Sequence, residues 1–265
     1  MSAATRDLVY LCRALKAPSL LAAADRLLEQ AGCDSWSHAE LLTACLEREV
    51  AARQAHGAEN RIKAARFGAH KTLEDFDFKH QRSIRREVIL HLGALDFIEA
   101  RHNVVLLGPP GTGKTHLAIA LGIRACQAGH RVACATATEW VDRLAAEHAA
   151  GRLHEALQRL GRIPLLIIDE VGYIPLEAEA ANLFFQLISA RYERASVIVT
   201  SNKPFGRWGE VFGDATVAAA MIDRLVHHAE VLSLKGDSYR LKDRELGAPA
   251  TPSTRGKKTA AEDAL

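Results

Sequence analysis

The chain has 265 residues, 48% hydrophobic and 25% charged, enough to bury a substantial core in one main domain with a smaller appendage. Lys and Arg total 34 against 32 Asp and Glu, so the net charge of +2 neither requires nor excludes a nucleic-acid partner, and any basic footprint must be local. With no long uncharged apolar run and no signal-peptide pattern, no membrane span is expected, and five cysteines without a C-x-x-C pair read as reduced thiols in a cytoplasmic protein.

Leu8, Leu11, Cys12 and Leu15 recur at helical spacing, and Pro18 closes that helix. Ser19 is the expected cap of a second helix with Leu20, Leu21, Ala24, Leu27 and Leu28 on its apolar face, and Gly32 is expected to end it in a left-handed conformation. Ser37 and Glu40 have the spacing of a capping box, opening a long helix that runs to about Arg66. Residues 1–70 therefore read as a small helical domain, followed by a linker over 71–82.

The stretch from Arg61 to Arg86 is the most basic in the chain, with eight lysines and arginines against three acids, a local excess of five. Its side chains suit either the phosphates of a duplex or a solvated helix face. Phe76 and Phe78, at alternate positions, point to an extended segment docked on the next domain. Ile84 to Ala100 is expected as one amphipathic helix, with Ile84, Val88, Leu92 and Leu95 on one side.

Residues 103–115 then read as an apolar strand, a glycine-rich turn and the first turn of a helix, and Gly108-Pro109-Pro110-Gly111-Thr112-Gly113-Lys114-Thr115 satisfies G-x-x-x-x-G-K-[ST]. Glycine tolerates the curvature that lets backbone N–H groups wrap a polyphosphate, and the helix N-terminus adds partial positive charge. Lys114 supplies a mobile cation for the β- and γ-phosphates, and the Thr115 hydroxyl is placed to ligate Mg²⁺. His116 comes next in the same turn, so residues 108–116 form the candidate nucleotide-binding set.

Beyond this loop, strands are expected over residues 131–137, 164–170, 196–202 and 230–234, and helices over 115–128, 138–150, 152–160, 177–194 and 215–228. Their alternation implies an α/β domain over residues 83–246 whose parallel sheet is covered by helices on both faces. The third strand ends in Asp169-Glu170, where burial explains the apolar residues and not the acids. Asp169 fits a Mg²⁺ site, held through water, and Glu170 fits a residue that orients and polarises an attacking water. Asn202, at the tip of the fourth strand, is placed to bond a γ-phosphate or the lytic water. Phe205 stands where a guanine-reading N-K-x-D signature needs an acid, which weighs against a GTPase. Adjacent acids suit water activation better than transfer to a second substrate, which weighs against a small-molecule kinase. Residues 203–213 read as a polar loop containing Trp208, His227-His228 as a solvated helix end, and 247–265 as a disordered tail.

Together with Lys71–Phe76, Asp169–Tyr173, Asp223-Arg224-Leu225 and Gly236–Arg240, these motifs resemble the IstB family of helper ATPases of insertion-sequence transposition, from about Leu8 to Arg244. The resemblance implies an AAA+ P-loop NTPase core behind an all-helical N-terminal domain that binds DNA or a partner. It further implies an ATP- and Mg²⁺-dependent, DNA-stimulated ATPase that assembles into a ring or spiral on double-stranded DNA and assists its transposase in target selection. The related DnaC-type helicase loaders share that core and give the alternative reading. By this resemblance Lys114 and Thr115 fall on Walker A, Asp169 and Glu170 on Walker B, Asn202 on sensor 1, Arg224 on the arginine finger and Arg240 on a sensor 2 arginine. The paired helices over 138–160 look like the helical insertion of initiators and loaders, which faces DNA and makes Arg143, Arg152 and Arg159 candidates beside Arg61, Lys63 and Arg66 of the basic stretch.

Overall fold

The computed structural model describes residues 3–241, and the expected tail over 247–265 lies outside them. Three helices, α1 (Ala3–Ala14), α2 (Pro18–Cys33) and α3 (His38–Ala65), come first. The Ser37 hydroxyl and the Glu40 carboxylate cap α3 reciprocally, and Arg66 ends it in the left-handed region at φ 59°. Ser19 is not the cap of α2, which begins at Pro18. Its first free amides, Ser19 and Leu20, donate instead to Oε2 of Glu49 on α3, at 3.0 and 3.1 Å. Glu49 Oε1 takes Arg53 Nε at 2.8 Å, and Arg53 Nη2 reaches the carbonyls of Leu15 and Lys16. One acid–base pair on α3 thus staples the end of α1 and the start of α2. Gly32 does not end α2 either, because the helix runs on to Cys33 and the left-handed residue is Ser35.

The single helix expected over 84–100 is two short ones, α4 (Arg86–Leu92) and α5 (Asp96–Glu99), broken by a left-handed Leu95 at φ 72°. The break lets Ile84, Ile89, Leu92, Leu95, Phe97 and Ile98 all reach the core, which one apolar stripe cannot do. Arg124 Nε pins the break by donating to the Gly93 carbonyl at 2.6 Å.

Five parallel strands come next: β1 (Asn103–Leu107), β2 (Val132–Thr136), β3 (Leu165–Val171), β4 (Ser196–Ser201) and β5 (Ala229–Ser233), in spatial order β2-β3-β4-β1-β5. Their connections are α6 (Lys114–Gln127), α7 (Ala137–Ala149) with α8 (Leu153–Gly161), α9 (Ala178–Arg191), and α10 (Trp208–Phe212) with α11 (Ala215–Val226). Leu165, Leu166, Ile167 and Ile168 are all fully buried, as a strand covered on both faces requires. Alternate residues feed two cores. Val104, Leu106, Leu165 and Ile167 meet α6, α4, α5, the end of α3 and the linker residues Leu73 and Phe76, whereas Val105, Leu166, Ile168 and Val199 meet α7, α9, α10 and α11. The aromatic segment therefore docks as expected, but as a run of turns and not as an extended strand, with the Phe76 N–H on the Leu73 carbonyl and the Gln81 N–H on the Asp77 carbonyl. Residues 203–213 are no polar loop: Trp208 is buried between Phe205 and Phe212 with its indole N–H on the Lys203 carbonyl.

Glu49 makes a pH prediction. The bond from Arg53, then those from the Leu20 and Ser19 amides, hold its carboxyl below the ordinary glutamate range against the effect of burial. A depressed acid contributes stability that is complete above its unfolded pKa and is lost as pH falls through its folded value. Acidification from neutrality to about pH 3 should therefore loosen the α1–α3 unit first, read as rising hydrogen exchange in residues 6–33, and Glu49→Gln should show that exchange already at neutral pH.

Candidate active site

The glycine-rich loop joins β1 to α6 at the C-terminal edge of the sheet. Gly108, Gly111 and Gly113 take φ values of 150°, 80° and 97°, which L side chains rarely adopt. Thr112 Oγ1 and Lys114 Nζ both donate to the Pro109 carbonyl, at 2.8 and 2.7 Å, folding the loop round its own backbone. Lys114 is buried, and burial lowers its pKa; Asp169 and Glu170 oppose that shift, and Arg240 adds to it. A cation so placed gains when an anion arrives beside it.

The strand order decides what else reaches the loop. Because β4 lies between β1 and β3, its tip stands between the loop and the acidic pair. Thr115 Oγ1 donates to Asp169 Oδ1 at 2.9 Å, so the two residues expected to share a cation are in contact. Thr200 of β4 donates to the same Asp169 oxygen and accepts the Glu170 N–H at 3.0 Å. Glu170 is exposed and left-handed at φ 62°, at a bulge where the β3–β4 register slips between Ile168 and Val171. Asn202 Oδ1 is buried and, among the described residues, has no hydrogen-bond partner, an orphan acceptor at the sheet edge.

A cavity of about 330 Å³ opens beside the loop, lined by Gly111 to His116 and by Phe76, Gln81, Tyr173, Tyr239 and Arg240. Gln81 Nε2 donates to the Thr112 carbonyl at 3.0 Å and Ser83 Oγ to Gln81 Oε1 at 2.6 Å, tying linker to loop. His116 reaches back to the Thr72 carbonyl at 2.7 Å, with its ring edge-on to Phe76. The loop cradle, the buried ammonium, the orphan amide oxygen and the Thr115–Asp169 pair together fit a nucleotide triphosphate with Mg²⁺. Gln81, Tyr173 and Thr200 are additions that the sequence did not single out as site residues. Thr200 alone left a physical trace, in the polar end of an otherwise apolar strand.

Not every expected residue joins this cluster. Arg224, on α11, donates to the Ala220 carbonyl and stacks on Phe185 at 4.6 Å, and it does not line the cavity. Arg61 gives its Nε to the Cys126 carbonyl near the end of α6. Arg66, Arg143, Arg152 and Arg159 come together round a groove of about 610 Å³ between the end of α3 and the α7–α8 pair, with Arg152 and Arg159 both bonded to Glu147. Lys63 is exposed on α3 and does not line that groove. His227, His228 and Glu193 do come within 4.8 Å of one another at their ligand atoms, exposed at the opposite end of the sheet from the loop.

Sheet order, loop and acidic pair define a P-loop NTPase of the AAA+ class. The model of the IstB-like ATP-binding protein family matches residues 11–247, and the chain belongs to that family. It is 46% identical over 94% of its length to the ATP-binding protein of insertion sequence IS21 from Pseudomonas aeruginosa, covering 94% of that protein. It is 40% identical over 89% of its length to that of insertion sequence IS5376 from Geobacillus stearothermophilus, again covering 94%. Among solved structures, AMPPCP-bound DnaA from Aquifex aeolicus shares the fold at a TM-score of 0.54 and 21% identity, over 67% of this chain and 54% of that one. The DnaC helicase loader does so at 0.50 and 20%, over 62% and 96%.

Lys114→Ala removes the buried cation and should abolish nucleotide binding, raising the Kd of a fluorescent ATP analogue by about 100-fold or more. Retention of wild-type affinity would show that the loop does not hold the phosphates.

Proposed function

We propose that the protein hydrolyses ATP with Mg²⁺ and, as an assembly on double-stranded DNA in the cytoplasm, helps a transposase choose its target. The observation that carries the hydrolytic part is the contact of Thr115 with Asp169, with Glu170 next along the chain. In this reading the loop amides and Lys114 hold the β- and γ-phosphates, Thr115 and Asp169 hold the metal, and Mg²⁺ when bound would neutralise charge on the phosphates. Glu170 orients and polarises the water, and Asn202 offers its unpartnered oxygen to that water. Arg240 lines the same cavity and binds phosphate from within the subunit.

Arg224 supports dependence on assembly. Set apart from its own cavity, it would serve as a finger only in a neighbouring subunit's site, which couples turnover to oligomerisation. The DNA part rests on Arg66, Arg143, Arg152 and Arg159 meeting round one groove, a local basic footprint in a chain of nearly balanced charge. The transposase part rests on the insertion-sequence relatives, which cover nearly the whole chain, whereas the likeness to DnaC bears on fold alone.

Glu170→Gln should bind ATP with wild-type affinity while kcat falls by about 10²–10⁴-fold. Normal turnover would remove Glu170 as the water-activating group. Arg224→Ala should also keep ATP affinity and lose turnover, and mixing it with Lys114→Ala should restore part of the activity, since the Lys114→Ala subunit keeps the arginine that the intact nucleotide site of its Arg224→Ala neighbour needs. Sedimentation with ATP and duplex DNA should show an oligomer; a monomer under those conditions would overturn the assembly reading.

A further inference from the structure

The side chain of Thr200 is buried, stands on the strand inserted between loop and acids, and contacts both acidic residues at once. Its hydroxyl proton goes to Asp169 Oδ1, and its oxygen accepts the N–H of Glu170. We propose that Thr200 is a positioning residue for hydrolysis, a single hydroxyl that fixes the carboxylate of Asp169 and the backbone of Glu170 in one arrangement. The inference rests on the assignment of those two acids to ATP hydrolysis.

Both contacts originate at the bulge. In regular pairing Ile168 lies opposite Val199, but Val171 lies opposite Ser201, so β3 carries one residue more than β4 over that interval. The extra residue costs the Glu170 amide its place in the ladder, and Glu170 itself is held at a φ of 62°. A partly buried amide displaced from a ladder still needs an acceptor, and the Thr200 hydroxyl supplies it. Since that oxygen also has a proton to give, and Asp169 is the neighbouring acceptor, both halves of the hydroxyl are used. The Asp169 oxygen so bonded is the one that receives Thr115, which places the β4 hydroxyl and the loop hydroxyl on one carboxylate oxygen.

A residue needed only to build the sheet would be replaced without loss by valine, which has the same shape and a higher strand preference. A residue needed for its hydroxyl would be replaced by serine and not by valine. The test compares Thr200→Val and Thr200→Ser in the full chain, with Glu170→Gln as control. The first readout needs no nucleotide: amide hydrogen exchange at Glu170 should rise by about 10-fold or more in the valine variant and stay near wild type in the serine variant. The second, turnover with ATP, Mg²⁺ and duplex DNA, should fall by about 10- to 100-fold for valine with ATP affinity kept, and return to within about threefold for serine.

Valine turning over ATP at the wild-type rate, serine as slow as valine, or loss of ATP affinity together with activity would each overturn the proposal. Equal turnover by wild type and Glu170→Gln would instead overturn the hydrolytic assignment. The exchange rates would then still decide whether the hydroxyl holds the Glu170 amide.

Discussion

The site depends on a shortage of side chains along the back of the nucleotide loop. A Cβ on Gly108 would lie 2.1 Å from the Leu234 carbonyl oxygen, one on Gly111 2.0 Å from Ser238 Oγ, and one on Gly113 2.6 Å from the Phe76 ring. The three glycines are therefore needed for contact as well as for conformation. Each admits a different part of the chain: the residue after β5, the segment beyond it and the linker before the domain. Backbone bonds run alongside these contacts, from Leu234 N to the Leu107 carbonyl and from Tyr239 N to the Gly111 carbonyl. The loop is held by segments more than a hundred residues later and some thirty residues earlier, which is how a flexible sequence becomes a fixed cradle.

Strand order does the rest. Had β3 been the direct neighbour of β1 in the sheet, the acids would abut the loop with no third group available. With β4 interposed, Thr200 joins Thr115 on the same Asp169 oxygen, and Asn202 follows just beyond the end of that strand. The bulge in β3 then interrupts the regular pleat at Asp169 and Glu170, and hands the Glu170 N–H to the Thr200 hydroxyl. Topology, register slip and a buried hydroxyl are thus three parts of one device.

What the sequence discloses depends on how local each signal is. The loop, the strand ending in acids and the capping box at Ser37 are contiguous patterns whose physics lies within a few residues, and each is found where its pattern places it. The failures are places where a distant partner overrides the local choice. Ser19 loses the cap of α2 to Glu49, thirty residues on, and the helix over 84–100 breaks because a core on several sides needs more than one apolar stripe. Trp208 is a different case: its aromatic partners Phe205 and Phe212 lie only three residues before and four after it, on a short turn and on α10 itself, and the polar residues between them mask the pattern. Arg61 looks like surface charge because nothing near it in the chain foretells the Cys126 carbonyl that α6 offers. Gln81 carries no motif at all, since what recruits it is the shape of the cavity and the Thr112 carbonyl.

The two arginines of the C-terminal part stand in different relations to the cavity. Arg240 lines the cavity of its own chain, where its charge adds to burial in disfavouring the charged form of Lys114, against Asp169 and Glu170. Arg224 is instead held by stacking on Phe185 and by the Ala220 carbonyl, a cation–π contact and one hydrogen bond to a neutral acceptor, with no carboxylate partner among the described residues. A residue anchored that lightly is suited to be claimed by a stronger partner, and the triphosphate of an adjoining subunit is the partner that the proposed mechanism supplies. Binding would then belong to the single chain and cleavage to the assembly, because the last charge needed for the transition state lies outside the cavity of its own chain.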